Sequence, residues 1–336
     1  MKAAIFRGNC EISVEERPDP VIEAADECLV RVMACGICGS DVHPYSSATP
    51  PDAVMGHEAV GEVLEVGEGA TRVRPGDRVA VYAVRGCGEC ANCRRGRITW
   101  CEDLRGSVNG GFGELLVAPE RNLLALPDWI DWMRACLLTD VLGTPMKALR
   151  TAGVGEGDTL VVLGCGPIGL GAVQVGVARG ARVMAVDPLE YRLALARRFG
   201  AEATCRPDEE STVEAAKRWT GVGADFALDC TGVEGLALTA LDSLRPGGTA
   251  ICVGRNMQMQ FSPWTHIIRR DVKLGGSWYL HYEDFDELLR LCRAGQLDAL
   301  PLITHRVPLE EIARGFELFS RQEDGAAKIV VLMGLR

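Results

Sequence analysis

In the first half of the chain the apolar positions fall into short runs, KAAIF, CLVRVMA, VGEVLEVG, DRVAVYAV and GELLVAP, separated by Gly, Pro and charged residues. Such runs, bounded by turn formers, predict strands, so residues 1–148 are expected to form an irregular, largely β region. From about Gly157 the rhythm changes. TLVVLG predicts a buried strand leading to a helix from about Ile168 to Arg179, ARVMAVD leads to the helical LEYRLALARRFGA, and ADFALDCTG leads to GLALTALDSL. TAICVG and VKLGGSW add further strands. Repetition of strand, Gly-rich turn and helix predicts a doubly wound α/β domain with a parallel sheet over residues 149–285. In the remaining segment, residues 286–336 and the stretch just before it, YEDFDELLRLCRAG and LEEIARGFELFSR carry apolar residues at helical spacing and AKIVVLM predicts a last strand. Spacing alone leaves open whether this segment caps the parallel sheet or returns to the first region.

Thr159 to Ala178 is the longest stretch without a charge and is long enough to span a bilayer. It holds five glycines, Pro167 and Gln174, and its front half reads as a strand and turn, which would leave backbone groups unpaired in lipid. A membrane span is not expected. The start, MKAAIFRGNCEISVEE, lacks the apolar core of a signal peptide, which points to the cytoplasm. The 336 residues suit about two domains at roughly 150 residues each. With 36 Lys and Arg against 46 Asp and Glu, the net charge of −10 offers no basic face for a phosphate backbone, so nucleic acid is not an expected partner. Fourteen cysteines in a long, unsecreted chain are read as reduced thiols.

Four of those thiols lie close together. Cys87, Cys90, Cys93 and Cys101 stand as CxxCxxCx7C, and two-residue gaps let the backbone turn sharply enough to aim successive sulfurs at one centre. A closed four-thiolate loop predicts a structural zinc. An iron–sulfur cluster is the alternative, disfavoured because no second cluster pattern occurs. Arg94, Arg95 and Arg97 offset the charge of the thiolates.

A second constellation is spread wider. CGICGSDVH runs from Cys35 to His43, and MGHEAVGEV holds His57 and Glu58. A thiolate, an imidazole and a carboxylate form the ligand set of a zinc site with an open position for water or a substrate oxygen. Asp140 lies in the otherwise uncharged run ACLLTDVLGTP, where a carboxylate is costly to bury unless paired or metal-bound. Its alternative reading is an N-cap for the helix that follows.

LVVLGCGPIG places Gly164, Gly166 and Gly169 in a GxGxxG pattern, with Pro167 and Ile168 between the last two, directly after a strand and at the opening of a helix. The first glycine permits the turn, the second lets a pyrophosphate approach the backbone, and the third allows close helix packing. Asp187 ends the next strand, 18 residues beyond Gly169, where a carboxylate accepts hydrogen bonds from ribose hydroxyls. That carboxylate repels a 2′-phosphate, so NAD is preferred to NADP. Arg192, five residues on, opposes this preference if it reaches the cofactor; at the start of a charged helix face it is expected to be solvated.

With CGSDVH, GHE, the four cysteines, GxGPxG and Asp187 in this order, the chain resembles nearly end to end the zinc-dependent medium-chain alcohol dehydrogenases, which include polyol, threonine, secondary-alcohol and formaldehyde dehydrogenases. The resemblance implies a GroES-like β-rich catalytic domain and a Rossmann domain, with the active site in the cleft between them and the final strand returning to the first domain. It makes Cys38, His57 and Asp140 the catalytic zinc ligands. Glu58 becomes a residue that binds the zinc or exchanges with its water, and Asp41 the carboxylate that orients His57. Cys35 is left as a neighbouring thiol. Ser40 and His43 fall on a proton relay and Thr144 beside the nicotinamide ring. Two zinc ions per chain, NAD, and hydride transfer from a secondary hydroxyl of a polyol, sugar or small alcohol follow. Simple secondary-alcohol or aldehyde oxidation is the alternative, and a non-catalytic nucleotide-binding protein of this fold the remote one. The family also implies a homodimer or homotetramer, for which the VKLGGSW strand offers an edge. Tyr45, Trp100, Arg255, Asn256 and Trp278 are candidate pocket residues, each of which could equally serve packing.

Overall fold

The computed structural model describes residues 1–255 and 258–334. Asn256, a candidate pocket residue, lies outside them. The chain divides into two compact units that join at Thr139/Asp140 and Asp298/Ala299. The sequence rhythm places the boundaries at 148/149 and 285/286 instead. Rhythm follows element type, whereas the units follow packing: the Gly143–Ala152 and Tyr282–Arg293 helices pack on each other within the second unit.

The first unit opens with β1 (Lys2–Gly8) and β2 (Glu11–Glu16), an antiparallel pair. Its main sheet is built from β3 (Glu27–Gly36), β4 (Glu58–Val66), β5 (Arg78–Val81), β6 (Leu115–Pro119) and β7 (Leu123–Ala125). Along β3, Cys28, Val30, Val32 and Ala34 are buried in alternation, the signature of a strand with one face on a core. At its end the alternation gives way to continuous burial over Ala34, Cys35 and Gly36. There β3 meets the start of β4, with Gly36 opposite Glu58 and Cys35 opposite Ala59. Phe6, Tyr45, Phe112 and Phe316 form the aromatic centre of the core, with the Tyr45 and Phe316 rings 5.0 Å apart. Tyr45 is therefore a packing residue, the second of the two readings open to it.

The second unit is a six-stranded, wholly parallel sheet. Its strands are β8 (Thr159–Leu163), β9 (Arg182–Val186), β10 (Ala203–Cys205), β11 (Ala224–Asp229), β12 (Leu244–Cys252) and β13 (Lys273–Gly276), in the order β10-β9-β8-β11-β12-β13. All five residues of β8 are buried, as expected for a central strand covered on both faces. Strand order reverses beside β8, so the crevice outside its carboxyl end is the place where this architecture binds ligands. The uncharged stretch Thr159–Ala178 divides into β8 and the Pro167–Ala178 helix, and no helix among the described residues is long and apolar enough to cross a membrane.

The chain then returns to the first unit. β14 (His305–Pro308) and β15 (Ile329–Leu332) complete its sheet in the order β14-β15-β3-β4-β5-β7, with β6 paired to β3. β15 runs antiparallel to β3 and places Lys328, the residue before it, next to the β3–β4 end.

Candidate active site

Two groups of metal-binding side chains assemble among the described residues. In the first, one ligand atom from each of Cys87, Cys90, Cys93 and Cys101 lies within 4.8 Å of the others. The local backbone turns its N–H groups onto the sulfurs: Cys90 N–H donates to Cys87 Sγ at 3.3 Å, Cys93 N–H to Cys90 Sγ at 3.4 Å, and Cys87 N–H to Cys101 Sγ at 3.2 Å. Such donors favour thiolates. They hold Cys87 below the ordinary thiol range and bring Cys90 down to about 6, whereas burial pushes Cys93 up to about 12. Four sulfurs on one short loop, three of them accepting these N–H bonds, fit a closed zinc site. Trp100 stands half-exposed on this loop with the Arg97 guanidinium over its ring, 5.4 Å from the centroid. It is part of the four-cysteine loop.

In the second group the atoms of Cys38, His57, Glu58 and Asp140 lie within 4.8 Å of one another. Pairing of Gly36 with Glu58 brings the exit of β3 beside the entry of β4, and so Cys38 beside His57. Asp140 comes from the π-helical turn Leu138–Leu142, one peptide bond beyond Thr139. Asp41 is buried and ties the first two together: its Oδ2 accepts from Cys38 N–H at 2.9 Å, and its Oδ1 stands 3.1 Å from His57 Nδ1. With Nδ1 facing Asp41, Nε2 is the ring atom that would donate to a metal. Ser40 Oγ donates to Cys38 Sγ at 3.3 Å, while His43 lies exposed on the Val42–Ser46 helix. Thr144 Oγ1 donates to Asp140 Oδ1 at 2.7 Å. The helix carrying Thr144 takes Leu142 as its N-cap, which removes the N-cap reading of Asp140.

Glu58 is fully buried and its Oε1 lies 2.6 Å from Lys328 Nζ, which also donates to the Ile37 carbonyl at 2.8 Å. Sequence reasoning missed Lys328, although a lone lysine in the apolar run AAKIVVLM was a signal for a buried ion pair. Gly36 is required at this spot, because a Cβ there would lie 2.3 Å from Glu58 Oε2. Lys328 offsets Glu58, and a Cys38 thiolate with the Asp140 and buried Asp41 carboxylates would leave an excess of negative charge that a divalent cation would largely offset. The donor set fits zinc.

In the second unit, Gly164 has φ +84, and a Cβ on Gly169 would lie 1.7 Å from the Gly164 carbonyl. Gly166 caps the Pro167–Ala178 helix, in whose first turn Pro167 and Ile168 sit, and a Cβ on it would meet nothing within 4 Å. That leaves backbone N–H groups at a helix N-terminus open to an anion. Asp187 is buried directly after β9. Its Oδ2 accepts from Cys165 N–H at 2.8 Å and its Oδ1 from Leu189 N–H at 2.9 Å. Arg192 Nη1 lies 3.4 Å from Asp187 Oδ2. Arg192 is thus mostly buried against Asp187 and not solvated on a helix face, because the buried carboxylate draws the guanidinium inward. Arg255 is exposed, and Trp278 is 53% exposed beyond β13.

The sequence pattern of the Alcohol dehydrogenase GroES-like domain matches residues 24–128, and that of the Zinc-binding dehydrogenase matches residues 167–294. A probable zinc-binding alcohol dehydrogenase of Mycobacterium tuberculosis is 34% identical over 327 residues, covering 94% of this chain and 84% of its own length. A probable D-xylulose reductase A of Emericella nidulans is 31% identical over 329 residues, covering 93% of this chain and 92% of its own. Among solved structures, the alcohol dehydrogenase TADH from Thermus sp. ATN1 matches with a TM-score of 0.90 at 32% identity, covering 99% of this chain and 100% of that one. The chain belongs to the zinc-dependent medium-chain alcohol dehydrogenase family, built from a GroES-like domain and a Rossmann sheet. It is an oxidoreductase acting on CH–OH groups.

Proposed function

We propose that this enzyme transfers hydride from a secondary hydroxyl of a polyol, sugar or related small alcohol to NAD. The observation that carries the reading is the convergence of Cys38, His57, Glu58 and Asp140 from three separate chain segments on one point. Cys38, His57 and Asp140 would hold a catalytic zinc, and Cys87, Cys90, Cys93 and Cys101 a structural one, giving two per chain. Bound at the first set, zinc supplies Lewis acidity to a hydroxyl or carbonyl oxygen.

The remaining work falls to the chain's own groups. Asp41 fixes the His57 ring, and Glu58, balanced by Lys328, is a carboxylate in reserve that can exchange with water. Ser40 takes the substrate proton at Oγ and passes its own toward His43, whose exposure opens the path to solvent. Thr144 steadies Asp140 and would lie beside the nicotinamide of a bound cofactor. Gly164, Gly166, Pro167, Ile168 and Gly169 shape the helix N-terminus for the pyrophosphate, and Asp187 accepts from the adenosine ribose.

Arg192 stands beside that carboxylate and moderates the rejection of NADP. Asp187→Ser is therefore expected to raise the KM for NAD about tenfold and relax the preference, as loss of charge-assisted hydrogen bonds requires. Unchanged NAD affinity would remove Asp187 from the ribose site.

The polyol reading draws support from the relative named as a D-xylulose reductase. Simple secondary-alcohol or aldehyde oxidation is the second reading, favoured by an aspartate at position 140. A screen following NADH absorbance over polyols, sugars, cyclitols, 2-propanol and primary alcohols separates the two. The exposed edge strand β13 suits a homodimer or homotetramer joined through paired sheets. Chemistry that needs free thiolates suits the reducing cytoplasm.

A further inference from the structure

The Gly143–Ala152 helix carries a buried cation that the reaction as described does not use. Lys147 is 3% exposed, and its Nζ donates to the carbonyl of Trp278 at 2.8 Å. The segment it holds follows β13 directly. Ser277 N–H donates to the Cys252 carbonyl at 3.0 Å, so the chain leaves β13 alongside the carboxyl end of β12. Trp278 comes next, half-exposed. Tyr279, Leu280 and His281 are then buried, and Tyr279 has φ +58, a left-handed conformation that a bulky residue rarely adopts. An exposed indole is thus displayed by a strained, buried turn, and Lys147 grips the carbonyl that precedes the strained residue. Such strain persists only where surrounding structure over-determines it, and it concentrates at ligand sites.

The sheet order says which ligand. Asp187 directly follows β9 and the glycine loop follows β8, so the adenosine half of a dinucleotide would lie on the β9 side of the switch point. Its other half must then extend over the carboxyl ends of β11, β12 and β13, where the 277–280 turn stands.

We propose that Lys147 is a positioning residue which, through the Trp278 carbonyl, fixes this turn and presents the Trp278 indole as a stacking wall for the nicotinamide half of the cofactor. The proposal rests on the dehydrogenase reading. Thr144 and Lys147, three residues apart on one helix, stand on the same side of it, so the segment that steadies Asp140 also sets the cofactor wall.

The test compares binding of NADH with binding of ADP-ribose, which lacks the nicotinamide, in the zinc-replete enzyme. Trp278→Ala and Lys147→Met are each expected to weaken NADH about five- to tenfold, the value of one aromatic contact, and to leave ADP-ribose unchanged. The double variant is expected to be no worse than either single one, because both remove the same wall. Lys147→Gln, which keeps a donor for the carbonyl, is expected to restore most of the affinity. A merely structural lysine would lower the melting temperature and leave the NADH to ADP-ribose ratio in place. That result, or additive losses in the double variant, overturns the proposal. Trp278→Ala changes an exposed side chain, so it decides the wall even if Lys147→Met does not fold. If the unaltered enzyme binds neither ligand, the dinucleotide reading itself fails and takes this proposal with it. If it binds both and Trp278→Ala leaves NADH affinity untouched, this proposal alone fails.

Discussion

The two cysteine-bearing groups of ligand side chains are built on opposite plans. The loop from Cys87 to Cys101 draws four like ligands from fifteen consecutive residues, and the backbone that spaces them also supplies the N–H groups that favour thiolates. The other group mixes sulfur, imidazole and carboxylate from positions 38, 57–58 and 140, and depends on β3–β4 pairing and on Lys328, which is distant in sequence. A uniform local site closes around an ion and serves stability. A mixed site assembled by the fold keeps a place for a reactant, and its geometry is only as good as the packing behind it.

Removing one ligand from the closed loop tests this contrast with the largest effect. Structural zinc contributes on the order of 10 kcal/mol of apparent binding energy that is also folding energy. Cys93→Ser is expected to halve the zinc content and to lower the melting temperature by about 10 °C or more. Calorimetry with metal analysis checks it, and an unchanged melting temperature would make the loop dispensable.

Breaking the Glu58–Lys328 pair comes next. A buried ion pair that loses one partner leaves an uncompensated charge, so Lys328→Met is expected to cost about 3–5 kcal/mol in urea denaturation. Glu58→Gln combined with Lys328→Met is expected to recover most of that loss. Equal costs for the single and double variants would mean that the lysine acts by packing alone.

The smallest effect is a pH dependence in the second unit. Burial of Lys147 lowers it to about 8, against the help of Asp284 and with Arg150 adding repulsion. Above pH 8 the folded chain releases that proton while the unfolded chain keeps it to about 10.5, so this group makes stability rise with pH across that window. The wild type is expected to gain up to about 3 kcal/mol over Lys147→Met between pH 8 and 10.5. Parallel stability curves for the two proteins would place the ammonium in contact with water.

The same contrast explains what could be read in the sequence. The four-cysteine loop and the glycine loop were legible because each is a contiguous run whose spacing is its geometry. The strands and helices on either side of Asp187 were legible by periodicity. Thr212–Thr220 was not singled out as a helix, and the start of the Gly143–Ala152 helix was blurred by the apolar π-helical turn before it. β2 escaped because EISVEE is half charged and only partly buried at a sheet edge. Lys328 and the inward turn of Arg192 were hidden for another reason. Lys328 pairs with Glu58, 270 residues away, so the lone lysine in AAKIVVLM signals a buried cation without naming its partner, and Arg192 has the same letters whether it turns inward to Asp187 or outward to solvent. Tyr45 stayed undecided because an aromatic residue near the Cys38 segment has the same letters whether it lines a pocket or fills a core.

The central claim concerns the mixed site, and metal counting joined to turnover tests it most directly. Purified enzyme loaded with zinc is expected to hold two ions per chain and to form NADH from a secondary alcohol or polyol. Cys38→Ser is expected to keep one ion, melt close to the wild type and lose nearly all turnover. A wild-type protein that holds a single ion while the four-cysteine loop is full, or a Cys38→Ser variant that turns over as fast as the wild type, would contradict the account.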